Sequence, residues 1–208
     1  MDYPPAAGSE PEYLAYDLLV LHHPPVTEPE IPSYVIHSNW DRLTGGACDA
    51  LADCLAIDTE GVLDEKTGLG RIGTVRNGPV PLVRFAWEVL GNLKTRDLRI
   101  VNFRQDRMIE RVALVSGFGL NPGLIRIAYD RGAELFLSGD LTHPGAVLAQ
   151  HLGLVLVDAP HHATEIPGLY RLGKLLSGIG PAVHVRDTGV PWNLFSKTGF
   201  LKNYPARI

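Results

Sequence analysis

Three observations predict a layered α/β fold. Apolar strand-like runs alternate with helix-like segments along the chain, several runs are continuously apolar, and polar residues gather directly after them. Continuous runs such as residues 112–115 and 154–157 suit strands buried on both faces, as in a parallel sheet covered by helices. The expected architecture is therefore mostly parallel in its core. Functional residues are expected at the carboxyl ends of its strands, where open α/β sheets hold their ligands.

Composition sets the bounds. The 208 residues can bury a core as one domain or two small lobes, and 45% hydrophobic with 20% charged content is ordinary for a soluble globular protein. A net charge of −4 argues against a dedicated nucleic-acid binder, which carries a basic footprint. No apolar run is long enough to span a bilayer, and the amino terminus lacks a basic region followed by an apolar signal segment. A cytoplasmic location is the expectation. Cys48 and Cys54 fall in one helix at a spacing that does not bring them face to face, so both read as reduced thiols.

Residues 1–11, rich in Pro, Ala, Gly and acid, read as a loose tail. The first apolar strand covers residues 16–21 and runs into His22-His23-Pro24-Pro25. The prolines stop it, because they supply no N–H and fix φ. Residues 26–32 are a polar loop, and residues 33–38 hold a second short strand ending in His37-Ser38-Asn39-Trp40-Asp41. Ala47, Leu51, Ala52 and Leu55 then share one face of a helix from Gly46 to about residue 57. Residues 58–77 are turn-rich. Within them Gly68-Leu69-Gly70-Arg71-Ile72-Gly73 reads as a turn between strands, since no helix follows it as a dinucleotide-binding motif requires.

Residues 81–94 carry helical spacing through Phe85, Val89, Leu90 and Leu93, and residues 98–103 return to a strand. The strand at 112–115 meets Ser116-Gly117-Phe118-Gly119 and a helix from Pro122. Such a turn offers free N–H groups to an anion, but it is also the ordinary corner of an α/β unit and is read as that. Residues 135–137 form a strand closed by Ser138-Gly139-Asp140-Leu141-Thr142-His143, with a helix over 144–151. The strand at 154–157 runs into Asp158-Ala159-Pro160-His161-His162-Ala163-Thr164-Glu165. Pro167 suits a helix's first turn and disfavours helical geometry at Ile166, so the last helix is expected to start there and run to about residue 176. His161 and Glu165 are then loop residues, not neighbours on a helix face.

Taken alone, a His-His pair is more often two solvated side chains than a pair of ligands. Adjacent side chains on extended backbone point to opposite sides, so one ion rarely takes both, whereas two ions side by side can take one each. Together His22, His23, Asp41, His161 and Glu165 supply three imidazoles and two carboxylates, too many for one tetrahedral site. Such donors suit Zn, Fe, Mn, Ni or Co.

Five segments, in this order, resemble the GTP cyclohydrolase type 2-like family, also called NGG-one-interacting-factor-like proteins, and most closely its archaeal members. They are His22-His23-Pro24, His37-Ser38-Asn39-Trp40-Asp41, residues 68–73, Ser138-Gly139-Asp140-Leu141-Thr142-His143 and residues 158–165. The resemblance runs from about residue 16 to about residue 176. It implies that His22, His23, Asp41, His161 and Glu165 ligate two divalent ions, with Glu165 bridging both. It also places His37 and His143 at pocket positions that either support the ligands or face substrate, with one or the other moving protons. The subunit it implies has two similar α/β lobes, taken here as 12–78 and 79–208, assembled into a ring-shaped homohexamer with inward-facing sites. Family members carry a further helix and strand–helix unit ahead of the strand that ends in the histidine pair. Here a Pro-rich tail stands there, so the chain is expected to be a natural short form or a truncated one, with a sheet edge or core face laid open.

Two divalent ions exceed the charges of Asp41 and Glu165 by two, which suits an anionic small-molecule substrate such as a nucleotide or phosphate ester. The reading that follows is a metal-dependent hydrolase, with GTP ring opening suggested by the family name. The runner-up is a metal-handling protein without turnover. A regulatory interaction protein is third, and the acidic balance speaks against its touching DNA.

Overall fold

The strand residues sort by parity into two cores, which is what a sheet covered on both faces requires. The computed structural model describes residues 13–192 and the backbone of two short strands beyond them; the expected tail at 1–11 lies outside the described residues. In chain order the elements are β1 (Leu19–Leu21), β2 (Ser33–Val35), α1 (Ser38–Arg42), α2 (Ala47–Cys54), β3 (Ile57–Asp64), β4 (Leu69–Val75), β5 (Val80–Pro81) and α3 (Leu82–Asn92). There follow β6 (Arg99–Val101), β7 (Met108–Ile109), β8 (Arg111–Phe118), α4 (Pro122–Asp130), β9 (Leu135–Gly139), α5 (His143–Leu152), β10 (Val155–Asp158), α6 (His161–Ser177), β11 (Leu194–Ser196) and β12 (Gly199–Leu201).

Six strands join in the order β3-β4-β8-β9-β10-β6. Along β8, Val112 and Leu114 enter one core while Ala113 and Val115 enter the other. Leu135 and Leu137 against Phe136, and Val155 and Val157 against Leu156, repeat the alternation. Leu51 of α2 and Phe85 and Val89 of α3 close the first core. Ile125 and Ala128 of α4 with Ala149 of α5 close the second. Each of the Val, Leu, Ile and Phe side chains among these contributes about 1.5–3 kcal/mol by burial. The mixed α/β architecture is thus a sheet between two helical layers.

Two expectations need correction here. The sheet is parallel only through β8, β9 and β10, while β3, β4 and β6 join antiparallel. Only β8-α4-β9-α5-β10 carries the crossover helices that parallel pairing needs; β3 and β4 are a hairpin. The turn-rich reading of residues 58–77 is also too broad, because β3 and β4 occupy most of it and only residues 65–68 and 76–77 turn. Gly73 serves close approach rather than turning: a Cβ on it would sit 2.2 Å from the Asp58 carbonyl oxygen.

Local signals set the helix ends. Asn121 caps α4 by accepting from the N–H groups of Gly123 (3.0 Å) and Leu124 (3.2 Å), with Pro122 in the first turn. Thr142 caps α5, which ends at Gly153 with φ +70°. The last helix starts six residues before the expected position, at His161, with Pro160 as its cap and Pro167 inside it. Pro167 removes one bond of the helical ladder. Packing outweighs that loss: the Trp40 indole N–H donates to the Gly168 carbonyl at 3.3 Å, and a Cβ on Gly168 would lie 2.7 Å from Ala47 Cβ. Ser116 Oγ ties α6 to β8 by donating to the Thr164 carbonyl at 3.1 Å.

Strands β1 and β2 form a separate two-stranded parallel sheet, with Leu21 fully buried at its end. Among the described residues no helix is long and apolar enough to cross a membrane. Cys48 and Cys54 are both free thiols, and Cys48 is buried, with its Sγ accepting from the Ser116 N–H at 3.5 Å.

Candidate metal centre

Regular strand geometry ends at Leu21, and the chain bends at His22 and His23. The expected divergence of these side chains is therefore not what forms. Their ring centroids lie 4.8 Å apart, and both Nε2 atoms turn to the same Glu165 oxygen, Oε1, at 3.2 and 3.5 Å. Alternation belongs to extended backbone, and these residues have left it.

His161 Nε2 stands 2.9 Å from the same oxygen. This pair corrects the loop reading of residues 161–165: His161 and Glu165 are i,i+4 neighbours on the first turns of α6. Asp41, on α1, places Oδ1 3.7 Å from His22 Nε2. His37, just before α1, stacks edge-on against His22 and His23 with centroids 5.0 and 4.8 Å away. Two sets of donors, His22/His23/His37 and His23/His161/Glu165, each hold their ligand atoms within 4.8 Å of one another. Donors about 2.0–2.2 Å from a shared tetrahedral ion lie roughly 3.3–3.6 Å apart. The donors are close enough together that a cation could be held among them.

The electrostatics also favours a cation. Asp41 Oδ1 and Glu165 Oε2 are buried and have no hydrogen-bond partner among the described residues. Leaving such a group unsatisfied costs about 1–3 kcal/mol, more when it is charged, and a coordinated ion removes that cost. Burial pushes the Asp41 carboxyl up to about 6, opposed by His22 and reinforced by Glu165. Burial also works against the Glu165 charge, but hydrogen bonds and charge from His161 and His22 outweigh it and hold the carboxyl at about 2. For His161, burial lowers proton affinity, yet Glu165 and then Asp140 together raise it to about 9. His22 is raised against its burial by Glu165 and Asp41, whereas burial and the neighbouring His22 and His23 lower His37. A group of imidazoles and carboxylates that stabilise each other's charges in this way is primed to exchange protons for metal.

Surrounding groups orient the donors. The His22 Nδ1–H donates to the Ile36 carbonyl at 2.9 Å, which leaves Nε2 to face Glu165. Asp140 Oδ2 holds His161 Nδ1 at 2.5 Å. Arg71, buried beneath α1, donates to the Arg42 and Leu43 carbonyls (3.3 and 2.9 Å) and to both Asp49 oxygens, fixing the chain just after Asp41. Gly117 forms the floor. Its φ is +73°, its N–H donates to Thr164 Oγ1 at 2.8 Å, and a Cβ there would lie 2.5 Å from Glu165 Oε1.

The structure thus brings together His22, His23, His37, Asp41, His161 and Glu165. His143 stands exposed at the first position of α5 and belongs to neither donor set. Sequence reasoning passed over Asp140 and Gly117, although both follow apolar strand runs as His22 and Asp41 do. A carboxylate directly after a strand was the available signal for Asp140.

Residues 26–186 match the family described as Duf34/NIF3 (NGG1p interacting factor 3). A protein of Methanothermobacter thermautotrophicus named GTP cyclohydrolase 1 type 2 homolog is 49% identical over 179 residues, 86% of this chain and 74% of its own length. A Methanocaldococcus jannaschii protein of the same name is 30% identical over 179 residues, 77% of this chain and 71% of its own. Among solved structures, reduced HcgD from Methanocaldococcus jannaschii superposes with a TM-score of 0.69 at 31% identity, covering 82% of this chain and 73% of that one. Staphylococcus aureus protein SA1388 reaches 0.72 at 19% identity over 86% of this chain and 79% of its own, a likeness of fold alone. With the family matched over most of its length and a relative 49% identical, the chain belongs to the Duf34/NIF3 family.

Proposed function

We propose that this protein is a dinuclear metal-dependent hydrolase acting on a nucleotide or another small anionic substrate. The observation that carries the reading is the convergence of three imidazole Nε2 atoms on Glu165 Oε1, with Glu165 Oε2 and Asp41 Oδ1 buried beside it and without a hydrogen bond among the described residues. His23, His161 and Glu165 would hold one divalent ion (Zn, Fe, Mn, Ni or Co), and His22 and Asp41, sharing Glu165, a second. Bound there, such ions supply Lewis-acid polarisation and lower the pKa of water toward neutrality.

The chain's own residues supply the rest. Asp41 and Glu165 bring two negative charges against four positive ones, and the surplus draws an anion into the opening. His37 is exposed, and its proton affinity is lowered, so at neutral pH its imidazole is free to accept a proton from the attacking water and return it to the leaving group. His143 is assigned to substrate contact. The relatives' name, GTP cyclohydrolase 1 type 2 homolog, supports a nucleotide, with hydrolytic opening of its purine ring as the leading reaction. Assembly into a homohexamer belongs to the same reading.

The test is turnover against metal content. Protein loaded with each metal is assayed on GTP, other nucleotides and phosphate esters; activity should vanish on chelation and return on reloading. A fully loaded protein that turns over nothing in the panel would replace the hydrolase with a metal-handling protein.

A further inference from the structure

We infer that Asp140 is a positioning residue for this centre: it fixes which nitrogen of His161 faces the metal and makes His161 a stronger ligand than His22. The inference rests on the metal-centre reading above. The His161 ring lies between two carboxylates, with Nδ1 2.5 Å from Asp140 Oδ2 and Nε2 2.9 Å from Glu165 Oε1. A ring whose Nδ1–H is held by one carboxylate presents its Nε2 lone pair to a cation on the other side.

His22 is built on the same plan with a different partner. Its Nδ1–H goes to a neutral acceptor, the Ile36 carbonyl, at 2.9 Å. A carboxylate partner makes an imidazole a stronger donor than a carbonyl does, so His161 is the stronger of these two imidazole ligands.

Asp140 has φ +58°, a left-handed backbone that few residues other than Gly, Asn and Asp adopt readily. It is clamped from both sides. Before it, Gly139 ends β9 so close to α6 that a Cβ there would lie 2.6 Å from His161 Cα. After it, the Leu141 N–H donates to Asp158 Oδ1 at 3.4 Å, Arg99 pairs with the other Asp158 oxygen, and Thr142 caps α5. A residue held in left-handed geometry with its carboxylate on a ligand ring is placed for orientation. About half of its side chain is exposed, so its effect runs through the hydrogen bond more than through its long-range charge.

Two substitutions separate these effects. Asp140→Asn tolerates the same backbone and keeps an amide oxygen for Nδ1–H, but removes the charge. Asp140→Gly suits φ +58° best and removes the acceptor. Zinc affinities of parent and variants are measured by competition with a chromophoric chelator. Ring ¹⁵N spectra of His161 are recorded on the zinc-loaded proteins. Asp140→Gly should lose about 10–100-fold in affinity for one ion and leave the other unchanged, with Asp140→Asn between it and the parent. The parent should show Nδ1 protonated and Nε2 metal-bound, and Asp140→Gly should lose that fixed assignment. Unchanged affinities and ring signals in a parent that binds zinc would overturn this inference alone, as would equal loss at both ions. A parent that binds no zinc would overturn the metal reading and this inference with it. If Asp140→Gly fails to fold, Asp140→Asn with the same two readouts decides.

Discussion

Substituting Glu165 by Gln removes the charge at the centre of the cluster and keeps the shape. The structure gives the size of the effect in the metal-free protein. Glu165 is held at about 2 against an ordinary 4.5, and its partner His161 at about 9 against 6.5. Either displacement corresponds to about 3 kcal/mol. They share the Glu165–His161 contact, with His22 adding to the first and Asp140 to the second, so they are not added. A depressed carboxylate stabilises the fold above pH 4.5 and loses that contribution as pH falls through about 2. A raised histidine stabilises it below pH 6.5 and loses that contribution as pH rises through about 9. The pair is therefore fully expressed between those two ordinary values and fades on either side. Urea unfolding of metal-free parent and Glu165→Gln near pH 6 should differ by about 3 kcal/mol, and the difference should shrink toward zero above about pH 9. A loss of the same size at both pH values would refute the reasoning, since it would mean that Glu165 acts by packing rather than by charge. With metal present, the same variant should lose at least 10–100-fold in affinity for one ion or both.

Three further outcomes are expected. Because His161 and His22 hold protons more tightly than free imidazole, loading must displace them. Apparent metal affinity should then rise about tenfold per pH unit for each proton displaced, up to about pH 9, and a flat profile from pH 6 to 9 in chelator competition would contradict this. Gly117→Ala strains a φ of +73° by about 1–2 kcal/mol and drives a methyl to 2.5 Å from Glu165 Oε1. It should keep its far-UV circular dichroism while losing metal, and retention of both ions at parental affinity would show that the floor of the site is not what shapes it. Light scattering at micromolar concentration should give a homohexamer; a monomer would remove the assembly from the proposal.

Much of the fold and most of the candidate site were legible because their signals are local. Continuous apolar runs mark β8, β9 and β10, and Pro122 marks the start of the first helix between them. Polar residues that follow strands pointed to His22, His23, Asp41 and His161. What escaped depends on contacts distant in sequence. Pro167 looked like a helix start because its local cost is visible, while the packing of Gly168 on Ala47 that offsets it is not. The glycines at 70 and 73 looked like turns because nothing in the sequence shows Val115 and Asp58 pressing on them. His22 and His23 were expected to diverge because a strand was assumed to continue through them, and the bend after Leu21 turned both toward Glu165. Asp140 had no visible partner until β9 and α6 came together.

The most direct test of the central claim is the number of ions the protein holds. Metal-free protein is reconstituted with zinc or manganese, freed of excess metal and measured by elemental analysis against protein concentration. Convergence of three imidazoles on a carboxylate with a second carboxylate beside it predicts saturation at two divalent ions per chain. Saturation at one ion, or none, would contradict it.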